Sequence, residues 1–147
     1  IVICDELSDP HNLGAIIRTA ECAGAHGVVI PKRRSVGLTA IVGKASAGAL
    51  EYMPVARVTN ITNAIKELKE RGVWIFGTAA EGATPLYQAD LKGAAAIVIG
   101  NEGDGMSRLV AESCDLKVSI PMKGRISSLN ASAAAAILLY EAVRQRG

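Results

Sequence analysis

Aromatic residues make up only 3% of this 147-residue chain, and there are three cysteines. So few aromatic rings leave little capacity for stacking nucleic-acid bases within the chain. Cys4, Cys22 and Cys114 are odd in number and lack the C-x-x-C spacing of zinc sites, so we expect neither a disulfide framework nor a metal centre. We interpret all three as buried thiols of a cytoplasmic protein.

Long hydrophobic runs and a strong excess of one charge are also missing. The longest apolar stretch, Ala133 to Tyr140, is far shorter than the roughly 20 residues that cross a bilayer, and no charged leader opens the chain. A net charge of +2 does not indicate a nucleic-acid binder by itself. Lys32-Arg33-Arg34 and Lys123 with Arg125 nevertheless place positive charge in predicted loops. We expect one domain over residues 1–147, preceded by a separate N-terminal domain because the chain opens on Ile1 within a strand-like run.

The hydrophobic half of the chain falls into two alternating patterns. Short, almost continuously apolar runs are typical of strands buried on both faces. They cover Ile1 to Cys4, Gly27 to Ile30, Val55 to Val58, Val73 to Thr78, Ala95 to Ile99 and Leu116 to Ile120. Between them, apolar residues recur at helical spacing from Leu13, Leu38 and Ile61. The alternation predicts an α/β fold, a mainly parallel sheet covered by helices, with Gly82 to Leu86 as a surface loop.

The last predicted helix, from near Ser128 to Arg146, is apolar almost all the way round. Such a helix must be covered on several sides. We therefore expect it to be buried or to lie in a subunit interface.

The first of three polar clusters runs from Asp9 to Arg18. Its first residues predict a turn and a helix N-cap, and Gly14 removes side-chain bulk from the first helical turn, leaving backbone amides available to an anion or a ribose. Arg18 lies roughly one turn further on. It is either a ligand-binding residue or a surface partner of Glu21 at i, i+3.

The second cluster, Gly100 to Gly105, follows a predicted buried strand. It is not a dinucleotide fingerprint, because G-x-G-x-x-G requires glycine where Glu102 stands. Nor do Gly37 to Lys44 form a phosphate loop, since the glycines are one residue too far apart. Glu102 is either a functional carboxylate or a loop residue at the entry to a helix from Ser107 to Cys114, with Ser107 as its N-cap.

The third cluster, Ile120 to Asn130, again leads from a strand through a loop into a helix. Taken alone, Ser127 or Ser128 is best interpreted as an N-cap. Because all three clusters follow predicted parallel strands, they are expected at one edge of the sheet, where α/β proteins bind ligands. This placement favours an enzyme that uses a cofactor.

Together the clusters resemble the motifs of the SPOUT superfamily, specifically its TrmH-type RNA 2′-O-methyltransferases. N-x-G-x-x-x-R stands at Asn12 to Arg18, G-N-E-G-x-G at Gly100 to Gly105, and I-P-M-x-G-x-x-x-S-L-N-x-S-x-A at Ile120 to Ala134. The likeness covers essentially the whole chain. Within the family it is most similar to the bacterial 23S rRNA guanosine 2′-O-methyltransferases.

The resemblance implies an α/β knot in which the C-terminal segment forms a trefoil and S-adenosylmethionine binds in the knotted loops. It also implies cytoplasmic homodimers in which the first-motif helix of one subunit completes the other's site. The N-terminal domain would then supply much of the RNA recognition. The residues implied for catalysis are Arg18, Asn12, Glu102, Ser128 and Asn130. Those implied for cofactor binding are Gly100, Ile120, Leu129, Thr78, Ala79 and Met122.

Alternatives remain at this stage. Transfer RNA competes with ribosomal RNA as substrate, and an RNA-binding module of the same fold without turnover is a second class of function. The retention of Asn12, Arg18 and Asn130 disfavours the second reading. A Rossmann-type nucleotide enzyme is disfavoured because the fingerprint fails.

Overall fold

The computed structural model describes residues 1–80 and 82–147, which form seven strands, five helices and two short 3-10 turns. The strands are β1 (Val2–Cys4), β2 (Val28–Pro31), β3 (Val55–Val58), β4 (Trp74–Thr78), β5 (Thr84–Pro85), β6 (Ala95–Ile99) and β7 (Leu116–Ser119). The helices are α1 (Pro10–Cys22), α2 (Ala40–Ala45), α3 (Ile61–Glu70), α4 (Arg108–Ser113) and α5 (Ala131–Arg146). The 3-10 turns are Ala49–Glu51 and Leu86–Gln88. The predicted α/β alternation is confirmed.

The strands form one sheet in the order β3-β2-β1-β6-β4-β7-β5, and every described pair is parallel. The carboxyl ends of all the strands therefore meet along one edge, called here the carboxyl edge. Strand β6 lies between β1 and β4, so the loops that follow β1, β6, β4 and β7 are neighbours in space although they are far apart in sequence.

Two hydrophobic layers cover the two faces of the sheet. Val2 and Cys4 of β1 face a cluster that includes Leu13 of α1 and Leu138 of α5. Ile3, between them, points to the other face, where Ile65 of α3 and Val110 of α4 pack. Because alternate residues of one strand serve both clusters, an almost continuous apolar run is the pattern that this central strand requires.

Helix α5 differs from the sequence prediction in where it begins, and within the single chain it is only partly covered. It begins at Ala131 rather than near Ser128, because Asn130 is its N-cap and accepts hydrogen bonds from the amides of Ser132 and Ala133 at 3.0 and 3.2 Å. The helix is also not covered all round, since Ala133 is exposed and Tyr140 is 48% exposed. One stripe of α5 therefore faces outward in the single chain.

Two further details differ from the sequence prediction. The segment predicted as a surface loop contains β5, a two-residue strand that pairs with β7 at the sheet edge. The apolar stripe predicted from Leu38 to Ala45 does not face inward as a whole, since Leu38 and Ile41 are 42% and 49% exposed while Val42 is buried. A strand as short as β5 and a helix as short as α2 contain too few residues for hydrophobic periodicity to predict them.

Candidate active site

The loop of residues 5–9, which joins β1 to α1, is the structural centre of the site. On one side, the Nδ2 of Asn101 donates to the Glu6 carbonyl at 2.7 Å. On the other, the Ser35 hydroxyl and the Val36 amide donate to the Leu7 carbonyl at 3.0 and 2.8 Å. The loops after β6 and β2 thus hold the β1–α1 loop from both sides.

Glu102 binds the end of the same loop. Its carboxylate accepts from the Ser8 hydroxyl at 2.8 Å, from the Ser8 amide at 3.2 Å and from the Asp9 amide at 3.3 Å. Partial burial raises the pKa of Glu102, but these hydrogen bonds together outweigh it and hold the pKa of the carboxyl below its ordinary value. Glu102 thus lies in the loop that leads to α4, and its carboxylate contacts the start of α1.

Helix α1 begins at Pro10, within the segment from Asp9 to Asn12 that was predicted to form a turn and an N-cap. Asp9 is the cap, its Oδ1 accepting from the His11 amide at 2.8 Å, and Pro10 opens the first turn. Proline suits this position because its missing N–H would have no partner there. Asn12 is consequently inside the helix and 6% exposed.

A side-chain hydrogen bond joins the first and third clusters. The Nδ2 of Asn130 donates to the Oδ1 of buried Asn12 at 3.0 Å. Since the Oδ1 of Asn130 caps α5, one amide group connects the starts of α1 and α5. The cap expected at Ser127 or Ser128 is therefore wrong, and both serines lie in the exposed loop of residues 121–130.

Gly14 serves helix packing rather than ligand access. It is buried, and a Cβ at this position would meet the Cβ of Ala45 at 2.4 Å and the carbonyl oxygen of Val42 at 2.9 Å. The close approach of α1 and α2 therefore requires glycine here. The expectation that its bare first turn is open to an anion or a ribose is not met.

Arg18 is exposed and forms no ion pair with Glu21 or with another described carboxylate. It lies six residues beyond Asn12, about 9 Å further along the helix axis. Helix α1 starts at the carboxyl edge and returns toward the opposite edge, because β1 and β2 are parallel. Within one chain, Arg18 is therefore displaced from the edge where Asn12 and Asn130 meet.

Four of the residues predicted to bind a cofactor lie at the ends of three adjacent strands. Thr78 ends β4 and Ala79 follows it, while Gly100 follows β6 and Ile120 follows β7. The loop after β6 folds back closely on Gly100, where a Cβ would meet the carbonyl carbon of Gly105 at 2.3 Å. These residues, distant in sequence, therefore lie at one edge of the sheet.

Met122 and Leu129, the other two predicted cofactor residues, lie in the loop of residues 121–130 and are 38% and 42% exposed. Among the described residues, no backbone amide from 122 to 129 donates a hydrogen bond to another part of the chain. The loop therefore exposes apolar side chains beside backbone amides that donate to no other described part of the chain.

Sequence reasoning missed Ser8, Asn101 and Asp5. Asp5 is 2% exposed, and its Oδ2 accepts from the Ser107 amide at 2.7 Å, which fixes the loop after β6 to the end of β1. Each of these contacts joins residues about 94 to 102 apart in sequence. For Asp5, the only signal in the sequence was its position directly after a buried strand.

A groove lies elsewhere, between α3 and α4. It encloses about 560 Å³ and is lined by Thr62, Asn63, Ile65, Lys66, Lys69, Glu70 and Ser113. None of the predicted site residues borders it. It is open to solvent on the far face of the sheet and has no connection with the three clusters.

The cysteines differ from expectation in one case. Cys4 is buried and Cys114 half-buried, and burial raises the pKa of Cys4 to about 12 and that of Cys114 to about 11. Cys22, in contrast, is exposed at the end of α1, so the expectation of three buried thiols is wrong. Over the described part of the chain, no acidic, cysteine and histidine side chains gather as a metal-ligand group. No helix in that part has the length and apolarity to cross a bilayer.

Comparison with known sequences finds relatives that are all named as RNA methyltransferases. A family described as the SpoU rRNA Methylase family matches residues 1–140. A Bacillus subtilis protein, named as a TrmH family tRNA/rRNA methyltransferase, is 56% identical over 145 residues. The match covers 99% of this chain and 58% of that protein. The 23S rRNA (guanosine-2'-O-)-methyltransferase of Shewanella oneidensis is 55% identical over 146 residues, 99% of this chain and 59% of the relative. The chain thus spans a little under three fifths of these proteins.

Among solved structures, the SpoU methyltransferase AviRb from Streptomyces viridochromogenes, in complex with S-adenosylmethionine, superimposes with a TM-score of 0.92. It is 35% identical and matches 99% of this chain and 59% of its own. The resemblance stated from the three motifs is confirmed.

Proposed function

The chain belongs to the SpoU rRNA methylase family, and on that basis we propose that it transfers a methyl group from S-adenosylmethionine to a ribose 2′-hydroxyl of RNA. The observation that carries the proposal is the joining of the three motif loops at the carboxyl edge. Asn130 links the third cluster to the first, and Glu102 links the second to the first.

The residues at the ends of β4, β6 and β7 fit the cofactor. Its adenine needs apolar contact and backbone hydrogen bonds, and the loop with Ile120, Met122 and Leu129 offers both. When bound, S-adenosylmethionine supplies a methyl group on a positively charged sulfur, whose transfer leaves a neutral thioether, a 2′-O-methyl ribose and a proton. Because the leaving group is already good, the protein's main contribution is to hold the 2′-oxygen in line at about 3 Å.

Arg18 is the group that we assign to the charge developing on the ribose oxygen. Arginine stays protonated at all ordinary pH values, so it is not a simple base. Its planar guanidinium instead stabilises the developing alkoxide or grips the adjacent phosphate. Asn12, Ser128 and Asn130 orient the ribose and Arg18, and Glu102 positions α1 through Ser8 and Asp9.

A guanosine of 23S rRNA is the proposed target. The Shewanella oneidensis relative, 55% identical, is named for that reaction. Transfer RNA is the second candidate, because the Bacillus subtilis relative is named for both RNA classes.

We also propose that the active unit is a homodimer in which α1 of one subunit completes the other's site. Arg18 is exposed and displaced from the carboxyl edge of its own chain. The outward stripe of α5 and the loop of residues 121–130 expose Tyr140, Ile126 and Leu129, at 48%, 80% and 42%. A partner subunit would cover these exposed apolar groups and remove them from water.

The trefoil knot is part of the same proposal. Strand β7 pairs with β4 on one side and with β5 on the other, although β4 and β5 follow one another in the chain. The C-terminal segment thus passes between two consecutive strands. It then packs, through Gln145 and Arg146, on residues 89–93 of the connection that leads back to β6. In the proposed knot, the C-terminal segment is threaded through the connection from β5 to β6, and these pairings and contacts are what such threading requires.

Two measurements test the function. Isothermal calorimetry with S-adenosylmethionine should show saturable binding that a Leu129→Glu substitution abolishes, because a carboxylate on the apolar wall would be desolvated. Transfer of a labelled methyl group should then occur to unmodified 23S rRNA transcripts, with the label released as 2′-O-methylguanosine. Labelling of tRNA transcripts alone would make tRNA the substrate. Cofactor binding without any transfer would leave the RNA-binding module as the function, and the absence of both would refute the proposal.

A further inference from the structure

The segment Lys32-Arg33-Arg34, called here the basic loop, has no role in the assignments above. It follows β2 at the carboxyl edge, and all three side chains are exposed. None of them forms an ion pair with a carboxylate in the described part of the chain. Three adjacent cations without acidic partners form a concentrated positive surface on a chain whose net charge is only +2.

The basic loop is held in place by its backbone. The Lys32 amide donates to the Val58 carbonyl at 2.8 Å, and Ser35 and Val36 both donate to the Leu7 carbonyl. Arg34 has φ of +59°, a left-handed conformation that side chains disfavour. Such strain persists only where surrounding contacts enforce it, and it clusters at functional sites.

The same contacts connect the basic loop to the site. Leu7 accepts from the segment that follows the basic loop, and the next residue, Ser8, binds Glu102. Strand β2 lies two strand spacings from β6, about 10 Å. The three cations therefore lie beside the predicted ribose site, on the same edge and on the side away from the cofactor residues at β4 and β7.

We propose that the basic loop binds the phosphodiester groups of RNA next to the nucleotide that is methylated. The inference rests on the proposed function and adds the residues that hold the substrate strand. Lysine and arginine contacts to phosphates supply affinity and register without reading sequence. Such a role needs exposed cations on a fixed backbone, which is what this segment provides.

The test removes the three positive charges of the basic loop and compares this variant with a control that loses three positive charges elsewhere. The variant is Lys32→Ala, Arg33→Ala and Arg34→Gly, since glycine adopts the left-handed conformation of residue 34 without strain. The control is Lys66→Ala, Arg71→Ala and Lys92→Ala, which removes the same charge from α3 and from the opposite edge of the sheet. Both are made in the full natural protein, and melting curves establish that both fold.

Binding to an unmodified 23S rRNA transcript is measured across a range of salt concentrations. Loss of three phosphate contacts should make the plot of log K, the association constant for RNA, against log salt concentration less steep by about 2. The KM for RNA should rise at least tenfold, with kcat unchanged at saturating RNA. The control should match wild type. A variant with Lys32→Arg, Arg33→Lys and Arg34→Lys should keep the slope, because phosphate contacts need charge rather than a planar fork.

The outcomes separate this inference from the proposed function. If the wild-type protein methylates RNA but the basic-loop variant and the control lose the same affinity, net charge alone is responsible and the inference is wrong. An unchanged salt slope in the basic-loop variant also overturns it. If the wild-type protein neither binds S-adenosylmethionine nor methylates RNA, the proposed function itself fails.

Discussion

Asn130 shows how one side chain can serve structure and site together. Its Oδ1 caps α5, while its Nδ2 donates to Asn12. The two functions use different atoms of one amide, so a substitution that retains one and removes the other separates them.

Replacing Asn130 by Asp makes this separation. The aspartate retains the capping oxygen and loses the donor, so the Asn12 amide must turn over to pair with it. We expect a melting temperature within a few degrees of wild type, because Asp and Asn are similar caps, and methyl transfer reduced at least tenfold as Asn12 presents the wrong atom to the ribose. Thermal melting and initial rates measure the two effects.

Asn130→Ala is the control for that experiment, since it removes both functions. It should lose about 1 kcal/mol of stability with the cap as well as the activity. A fully active Asn130→Asp enzyme would contradict the proposed orientation of the ribose by the Asn12–Asn130 pair.

The carboxylate of Glu102 gives a second prediction, on pH. Its folded-state pKa is lowered, so the ionised form stabilises the fold above the unfolded-state pKa, and this contribution is lost as pH falls through the folded-state pKa. Glu102→Gln should therefore be less stable than wild type by about 1 kcal/mol at neutral pH, with the difference shrinking below the ordinary pKa of 4.5. Urea unfolding at a series of pH values measures it.

Glu112→Gln is a matched control for Glu102. Glu112 forms an exposed ion pair with Arg108 within α4, where a salt bridge contributes little. Its substitution should have a small effect at every pH. If Glu102→Gln behaved in the same way, the hydrogen bonds to Ser8 and Asp9 would have no energetic role.

At the scale of single residues, prediction from the sequence is limited because residues in contact lie far apart in the chain. Asn12, Asn130 and Glu102 were predicted as site residues because they lie in motifs, but the sequence could not say what each one contacts. Ser8 precedes an Asp-Pro turn and has the character of an ordinary turn residue. Its partner Glu102 is 94 residues away, so only the sheet order reveals the pair.

Among the elements, the packing of α1 on α2 depends on Gly14. A methyl group there would collide with Ala45 and the Val42 carbonyl. Gly14→Ala should therefore destabilise the protein by about 1 to 3 kcal/mol, the usual cost of overpacking, although alanine is the better helix former. Chemical denaturation measures the change.

Gly43→Ala provides the opposite expectation within the same helix pair. The nearest atom to a Cβ at Gly43 is the Cδ1 of Leu50 at 4.0 Å, which is ordinary contact. Alanine should therefore raise stability by up to about 1 kcal/mol through helix propensity. Equal effects of the two substitutions would show that propensity, rather than packing, governs Gly14.

Most of the strands and helices could be predicted from the hydrophobic pattern of the sequence. Ala95–Ile99 matches its predicted bounds, because a buried parallel strand needs uninterrupted apolar residues. Val55–Val58 also matches its predicted bounds, but it is an edge strand in which Ala56 and Arg57 are exposed, so burial on both faces does not explain it. Strand β5 was not predictable, since it has two residues and one is Pro85. Its existence depends on β7 running beside it, which no local pattern encodes.

At the scale of the whole molecule, the exposed Arg18 requires an explanation that a single chain does not provide. If α1 of one subunit completes the site of the other, Arg18 and the cofactor residues of one site come from different chains. This gives a prediction for mixed dimers. Arg18→Ala retains an intact cofactor site, while Leu129→Glu retains an intact Arg18, and each variant alone should be nearly inactive.

Co-expression of these two variants with different affinity tags, followed by random subunit pairing, should restore about a quarter of wild-type activity, since half of the dimers are mixed and each holds one intact site of two. The mixed species, isolated by sequential purification on both tags, should carry all of this activity. If Arg18 instead acted within its own chain, every site in a mixed dimer would contain one defect, and the isolated species would remain inactive. Measured methyl transfer by the mixed dimer therefore decides which chain supplies Arg18, because no rearrangement within one subunit can rescue either variant.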